Sequence, residues 1–127
     1  MANPSADGPS GSGTEVLRRY YSLYTTEESE VTLITGVADH IYSVLCVSWH
    51  NRNASLTDSK IEMYVDYNAG GTDLYIVGDQ LLGPQETFIF NDKFIIAGTD
   101  KLHVKATSSA GTAQMDVWCT YIDQDWT

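Results

Sequence analysis

Positive charge is what this chain has least of. Seven Lys and Arg stand against 17 Asp and Glu, a formal charge of −10 at pH 7. Over most of such a surface a phosphate backbone would be repelled rather than neutralised, so direct nucleic-acid binding is not expected. The one basic pair, Arg18-Arg19, reads as a solvated strand face or a local ion-pair partner, because a phosphate footprint needs Lys and Arg clustered on one face. Long apolar runs are missing too. No run approaches the roughly 20 residues of a membrane-spanning helix, and the opening lacks the apolar stretch of a secretory signal, so neither a membrane partner nor export is expected. Cysteine is scarce. Cys46 and Cys119 lie far apart without C-x-x-C or zinc-like spacing and read as buried thiols. An immunoglobulin frame would place its Trp between the two cysteines and distant from both, whereas Trp118 adjoins Cys119.

Reactive constellations are equally sparse. His40, His50 and His103 are scattered, with no H-x-x-H or H-E-x-x-H spacing, and each reads as a packed or solvated strand residue. No G-x-S-x-G elbow presents a serine, and neither cysteine has a His or Asn near it in sequence. Asp66, Asp73, Asp79, Glu86, Asp92 and Asp100 fall mostly at strand ends, where such side chains shape turns by bonding nearby backbone. No D-x-D-x-D-G loop singles them out for calcium. Gly70-Gly71 lacks the strand, lysine and helix of a phosphate loop, and Asn53-Ala54-Ser55 is too short a match to assign a glycan. No catalytic residue, metal site or cofactor is expected, and the chain is read as a non-enzyme.

What the sequence does contain is alternation. From residue 29 onward apolar residues recur at every second position, with turn residues about every ten, the pattern of an all-β sandwich or barrel. "KIEMYVDY" puts Ile61, Met63, Val65 and Tyr67 on one face, leaving Lys60, Glu62, Tyr64 and Asp66 on the other. "DKLHVKATS" turns Leu102, Val104 and Ala106 inward and Lys101, His103 and Lys105 outward. "HIYSVLCVSWHN" is apolar on both faces and predicts a central strand covered on both sides. In "AQMDVWCTYI", Ala113, Met115, Val117, Cys119 and Tyr121 share one side; Trp118 is the odd residue on the other, among Gln114, Asp116 and Thr120. Further strands are expected at 29–35, 72–79, 87–90 and 94–96, the last two as a hairpin through Asn91-Asp92-Lys93. Gly83-Pro84 and Gly98-Thr99-Asp100 are turns, and the apolar residues between them are expected to close the core.

The fold class that follows is an antiparallel β-sandwich, jelly-roll or Ig-like, of about eight strands with an extended N-terminal arm. Residues 1–13, "MANPSADGPSGSG", have only two Ala and one Met as apolar side chains apart from proline and cannot form a core. Residues 14–25 carry a helical stripe of Val16, Leu17, Tyr20, Tyr21 and Tyr24, but a helix this short is marginal in water and the aromatic and β-branched content favours a strand. The expected division is an arm over 1–28 and a sandwich over 29–127.

Four stretches, "SGSGTEVLRRYY", "TLITGVADHIYSVLCVSW", "ETFIFNDKFIIAGTDKLHVKA" and "YIDQDW", together resemble small virion structural proteins of tailed bacteriophages, of the marine phage and cyanophage type. The likeness covers nearly the whole chain. It implies a β-sandwich subunit that assembles with copies of itself and with other virion proteins, the major capsid protein first among them. Such a subunit decorates the head shell or belongs to the neck or tail. The resemblance implies a location in the virion after synthesis in the host bacterial cytoplasm, and it carries no active-site residues.

A subunit of this kind works through its surfaces. Leu17, Arg18, Arg19, Tyr20, Tyr21, Tyr64, Tyr75 and Trp118 are the expected interface residues, since exposed aromatic and Arg side chains dominate interface energies. A receptor- or carbohydrate-binding module would use Tyr64, Tyr75 or Trp118 differently, clustered in an open groove as a sugar platform.

Overall fold

The structure, a computed structural model, describes residues 14–24, 30–53, 58–68, 70–108 and 114–126. They form nine strands: β1 (Thr14–Tyr24), β2 (Glu30–Thr35), β3 (His40–Asn51), β4 (Ser59–Tyr67), β5 (Thr72–Leu82), β6 (Thr87–Phe90), β7 (Phe94–Ala97), β8 (Lys101–Ser108) and β9 (Met115–Asp125). Residues 14–24 are extended, as their aromatic and β-branched content predicts. Residues 1–13, expected to be an arm, lie outside the described residues.

Two antiparallel sheets result, one ordered β1-β9-β3-β6 with β7 also on β3, the other ordered β2-β8-β4-β5. Four of the pairings bracket the same point in the chain, the turn at 67–72. Thr14 faces Asp125, Glu30 faces Lys105, Val47 faces Phe90 and Ser59 faces Leu82. The chain is thus one long ribbon folded back on itself, and the β3-β9 and β4-β8 pairings roll that ribbon into two layers. With β6 and β7 counted as one interrupted strand, this is the jelly-roll arrangement of two Greek keys.

That interruption corrects the expected hairpin at Asn91-Asp92-Lys93. Phe94–Ala97 does not turn back on Thr87–Phe90; both run antiparallel to β3, one after the other. Val44 pairs with Phe94 and Val47 with Phe90, so three residues on the edge strand span two on β3. The turn-forming residues make a bulge rather than a reversal. β3 is irregular at the same place, because Val44 faces Tyr121 while Cys46 faces Thr120, leaving Leu45 as an extra residue.

Leu45 also explains why β3 looks apolar on both faces. Tyr42 and Val44 point inward before the bulge, and Val47, Trp49 and Asn51 after it, so the inward phase shifts by one. β3 is central within its sheet, as expected, but its outer residues Ile41, Ser43, Cys46 and Ser48 are only half-buried, not covered by a further layer.

Between the layers lie Val44, Val47, Trp49, Ile61, Met63, Ile96, Leu102, Val104, Met115, Val117 and Cys119, all nearly or fully buried. Each such aliphatic side chain stabilises the fold by about 1.5–3 kcal/mol relative to exposure. Acidic and amide side chains finish the turns. Asp66 accepts the Gly70 N–H at 2.7 Å, Asp100 the Asn68 N–H at 3.0 Å and Glu86 the Gly83 N–H at 2.8 Å. Buried Asn51 donates to the Leu82 carbonyl at 3.1 Å, tying the end of β3 to the end of β5. Gly36 is required by contact, since a Cβ there would lie 2.3 Å from the carbonyl oxygens of both Gly98 and Asp100.

Candidate functional site

The two sheets present unlike outer faces. β1 pairs with β9 without a register shift, and β9 pairs with β3, so outward residues line up in rows. Tyr21, Trp118, Ser48 and Ile89 form one row; Leu17, Ile122, Ser43 and Ile95 form another. Leu17, Tyr21, Ile89 and Ile95 are each more than half exposed, and Trp118 is 41% exposed. Between the rows lie Arg19, Thr120 and Cys46. The outer face of the second sheet carries Lys60, Glu62, Asp66, Lys101 and Lys105, with Asp73, Tyr75 and Leu81 on the β5 edge. The first face is the richer in exposed apolar side chains and the second the richer in charge, although Tyr75 and Leu81 are more than half exposed there.

Trp118 is the centre of the apolar face. Its ring stacks with Tyr21, centroids 5.6 Å apart and planes 17° apart, and the Arg19 guanidinium lies 5.4 Å from its centroid. Nε1 donates to Thr120 Oγ1 at 3.3 Å. Leu17, Arg18, Arg19, Trp118 and Thr120 line a groove of about 260 Å³.

Arg18 and Tyr20 alternate to the other side of β1. The Arg18 Nε donates to Asp123 Oδ2 at 2.8 Å, while His40 Nδ1 lies 2.7 Å from Asp123 Oδ1 and His40 Nε2 3.6 Å from Asp125. Burial, reinforced by the negative charge of Asp123, raises the Tyr42 phenol above its ordinary value; burial does the same to Tyr121. No nucleophile belongs to this cluster. Its effect is to tie β1 and β3 to the C-terminal end of β9. Tyr20 is 37% exposed at the rim.

Tyr64 and Tyr75 lie on the opposite sheet. Their rings are 5.0 Å apart, but Tyr64, expected to be exposed, is only 6% exposed. Its hydroxyl donates to Glu30, and its ring packs on His103, whose Nδ1 lies 3.0 Å from Thr32 Oγ1 and 3.2 Å from Glu30. Burial and then the Glu30 hydrogen bond raise the Tyr64 phenol well above the ordinary tyrosine value. Tyr64 is therefore a covered member of a polar cluster, and with Trp118 on the other sheet the three aromatics share no groove.

The eight expected interface residues thus divide. Leu17, Arg19, Tyr21 and Trp118 gather on the apolar face, Arg18 and Tyr20 occupy its rim, and Tyr64 and Tyr75 stand apart. Ile89, Ile95 and Ile122 complete the apolar face and were not expected there. Their signal was parity: Ile89 falls between inward Phe88 and Phe90, and Ile95 between inward Phe94 and Ile96. Residues 83–106 therefore build outer surface as well as core.

No protein-family model matches the sequence, and no curated protein matches it. Among solved structures, a subunit of Bacillus endospore appendages, described as a family of disulfide-linked pili, is similar with a TM-score of 0.51 and 13% identity, spanning 91% of both chains. Its likeness is one of fold. Viral capsid proteins are also among the neighbours. A protein of infectious bursal disease virus, Gx strain, aligns with a TM-score of 0.43 and 12% identity over 88% of this chain, which spans 36% of that one. A pentameric capsid protein from metagenomic phage sequences aligns with a TM-score of 0.38 and 13% identity over 83% of this chain and 61% of that one.

Proposed function

We propose that the chain is a structural subunit of a virion, a head decoration or cement protein that binds the capsid surface and stabilises the particle. The observation that carries this is the outer face of the β1-β9-β3 sheet, with its β6-β7 edge, where Leu17, Tyr21, Trp118, Ile89 and Ile95 are exposed together. The partners are the major capsid protein and copies of the chain itself. Support comes from the sequence resemblance to tailed-phage virion proteins and from the jelly roll, an architecture common among capsid proteins. The net charge of −10 favours a place on the outside of the shell over one facing packaged genome.

Within this role residues 1–28 act as an arm anchored to the sandwich through β1, which pairs with β9, and its first thirteen residues bind by lying across a neighbour. The test is binding of purified protein to particles that lack it. Ile95→Asp should abolish binding, because it buries a charge in the contact, and Glu62→Gln on the other sheet should leave it unchanged. Deleting residues 1–13 should weaken binding and leave the sandwich folded. Equal binding by Ile95→Asp and the unaltered chain would overturn the assignment of the face.

A further inference from the structure

The two sheets have four edges, and three of them are broken. β2 has six residues and a register shift between Thr32 and Ile34. β5 shifts register twice against β4, with Asp79 at a positive φ of 48°. The β6-β7 edge is interrupted at 91–93. Bulges, short strands and breaks are the devices by which sheet edges avoid pairing with other chains. β1 has none of them. It runs eleven residues in unbroken register with β9, without proline, and among the described residues no strand pairs with its other side.

We propose that β1 pairs antiparallel with β1 of a second copy of this chain, about a two-fold axis passing beside Leu17. A two-fold that reverses strand direction within one sheet stands perpendicular to it, so facing residues must share a face and the axis must pass beside a residue. Charge selects which residue. An axis at Arg18 or Arg19 would set like charges directly opposite each other. An axis at Leu17 puts Glu15 of each copy opposite Arg19 of the other, with Leu17 facing Leu17 and Val16 facing Arg18. Opposite-charge cross-strand pairs are favourable and like-charge pairs unfavourable. Neither Glu15 nor Arg19 makes an ion pair among the described residues; the Arg19 guanidinium carbon lies 5.4 Å from the Trp118 ring centroid.

This inference deepens the proposed assembly role and rests on it for its purpose. The perpendicular axis points both apolar outer faces the same way, so a dimer would offer the capsid a face of twice the width. The pairing itself can be tested without any particle.

Sedimentation equilibrium of the full chain over a concentration series should show a monomer–dimer equilibrium. Glu15→Arg and Arg19→Glu should each weaken it by about tenfold, since each replaces two favourable cross-strand pairs with two repulsive ones. The double variant, E15R with R19E, should restore it, because the reversed charges again face each other. In a Cys46→Ser background, Leu17→Cys should oxidise to a covalent dimer, the Cα separation of about 4.5–5.5 Å in a facing pair lying within disulfide range. Tyr21→Cys should not, being far from its copy. A monomeric chain throughout the series, a double variant no better than the singles, or equal cross-linking at both positions would overturn the pairing. None of these results depends on particle binding, so failure of the capsid role would appear separately, as particle binding indifferent to Ile95→Asp.

Discussion

Tyr21 and Trp118 face each other on β1 and β9, their rings 5.6 Å apart and 17° from parallel, on the outside of the sheet rather than within the sandwich. Tyr21 is 64% and Trp118 41% exposed there. In the proposed assembly role the pair is contact surface for a second molecule, because large rigid aromatics lose little entropy on docking and bury much area.

Trp118→Ala should therefore separate folding from assembly. In the isolated domain the loss comprises the Tyr21 stack, the Arg19 contact and the long, exposed hydrogen bond to Thr120, about 1 kcal/mol in all. Assembly or particle binding should weaken by about 2 kcal/mol or more. Thermal unfolding of the isolated domain and particle binding measured on the same variant decide it: a large loss of Tm with assembly reduced only in proportion would place Trp118 in the domain's own packing.

Asp123 should matter more to stability than either of its partners. Its carboxylate accepts from Arg18 and meets His40 with a side chain only 9% exposed, whereas the Arg18 side chain is 51% exposed. Asp123→Ala should cost about 2–3 kcal/mol, leaving charge-assisted bonds unmade, and Arg18→Ala no more than about 1 kcal/mol, as for exposed ion pairs. Urea unfolding of the two variants measures the difference. Equal losses would show that the cluster does not hold the end of β9 as described.

The thiols should behave unequally. Cys119 is fully buried, and burial, with a smaller contribution from Cys46, pushes its thiol up to about 12 from an ordinary 9.0. Alkylation of the native protein at mildly alkaline pH should modify Cys46, which is half-buried, and spare Cys119 until the chain unfolds. A thiol whose folded pKa is raised keeps its proton in the native state after the unfolded chain has lost it. Stability should thus be at full value below pH 9.0 and fall as pH rises toward 12. Cys119→Ala should flatten that decline relative to the unaltered chain. An unchanged slope in the variant, or rapid labelling of Cys119, would contradict the burial.

Much of the architecture was legible because a half-buried strand writes its burial at every second residue. Ile61, Met63, Leu102, Val104, Val117 and Cys119 all point where their parity puts them. What parity conceals is a bulge. Leu45 shifts the phase of β3, so an alternating strand reads as apolar on both faces, and Asn91-Asp92-Lys93 carries turn residues into a strand that does not turn. Both irregularities lie side by side, and only the pairing reveals them. The apolar face was half visible: Trp118 stood out against polar neighbours, whereas Ile89 and Ile95 passed for core because every residue around them is apolar. Tyr64 was placed on the correct face but not under its cover, since that cover comes from Glu30 and His103 on other strands.

A density map of the assembled particle tests the structural role most directly. The jelly roll should lie on the outside of the shell, with the outer face of the β1-β9-β3 sheet, carrying Trp118, Tyr21, Ile89 and Ile95, buried against a neighbouring subunit and the charged face of Lys60, Glu62 and Lys105 toward solvent. A particle in which that apolar face is open to solvent, or from which the chain is absent, would contradict it.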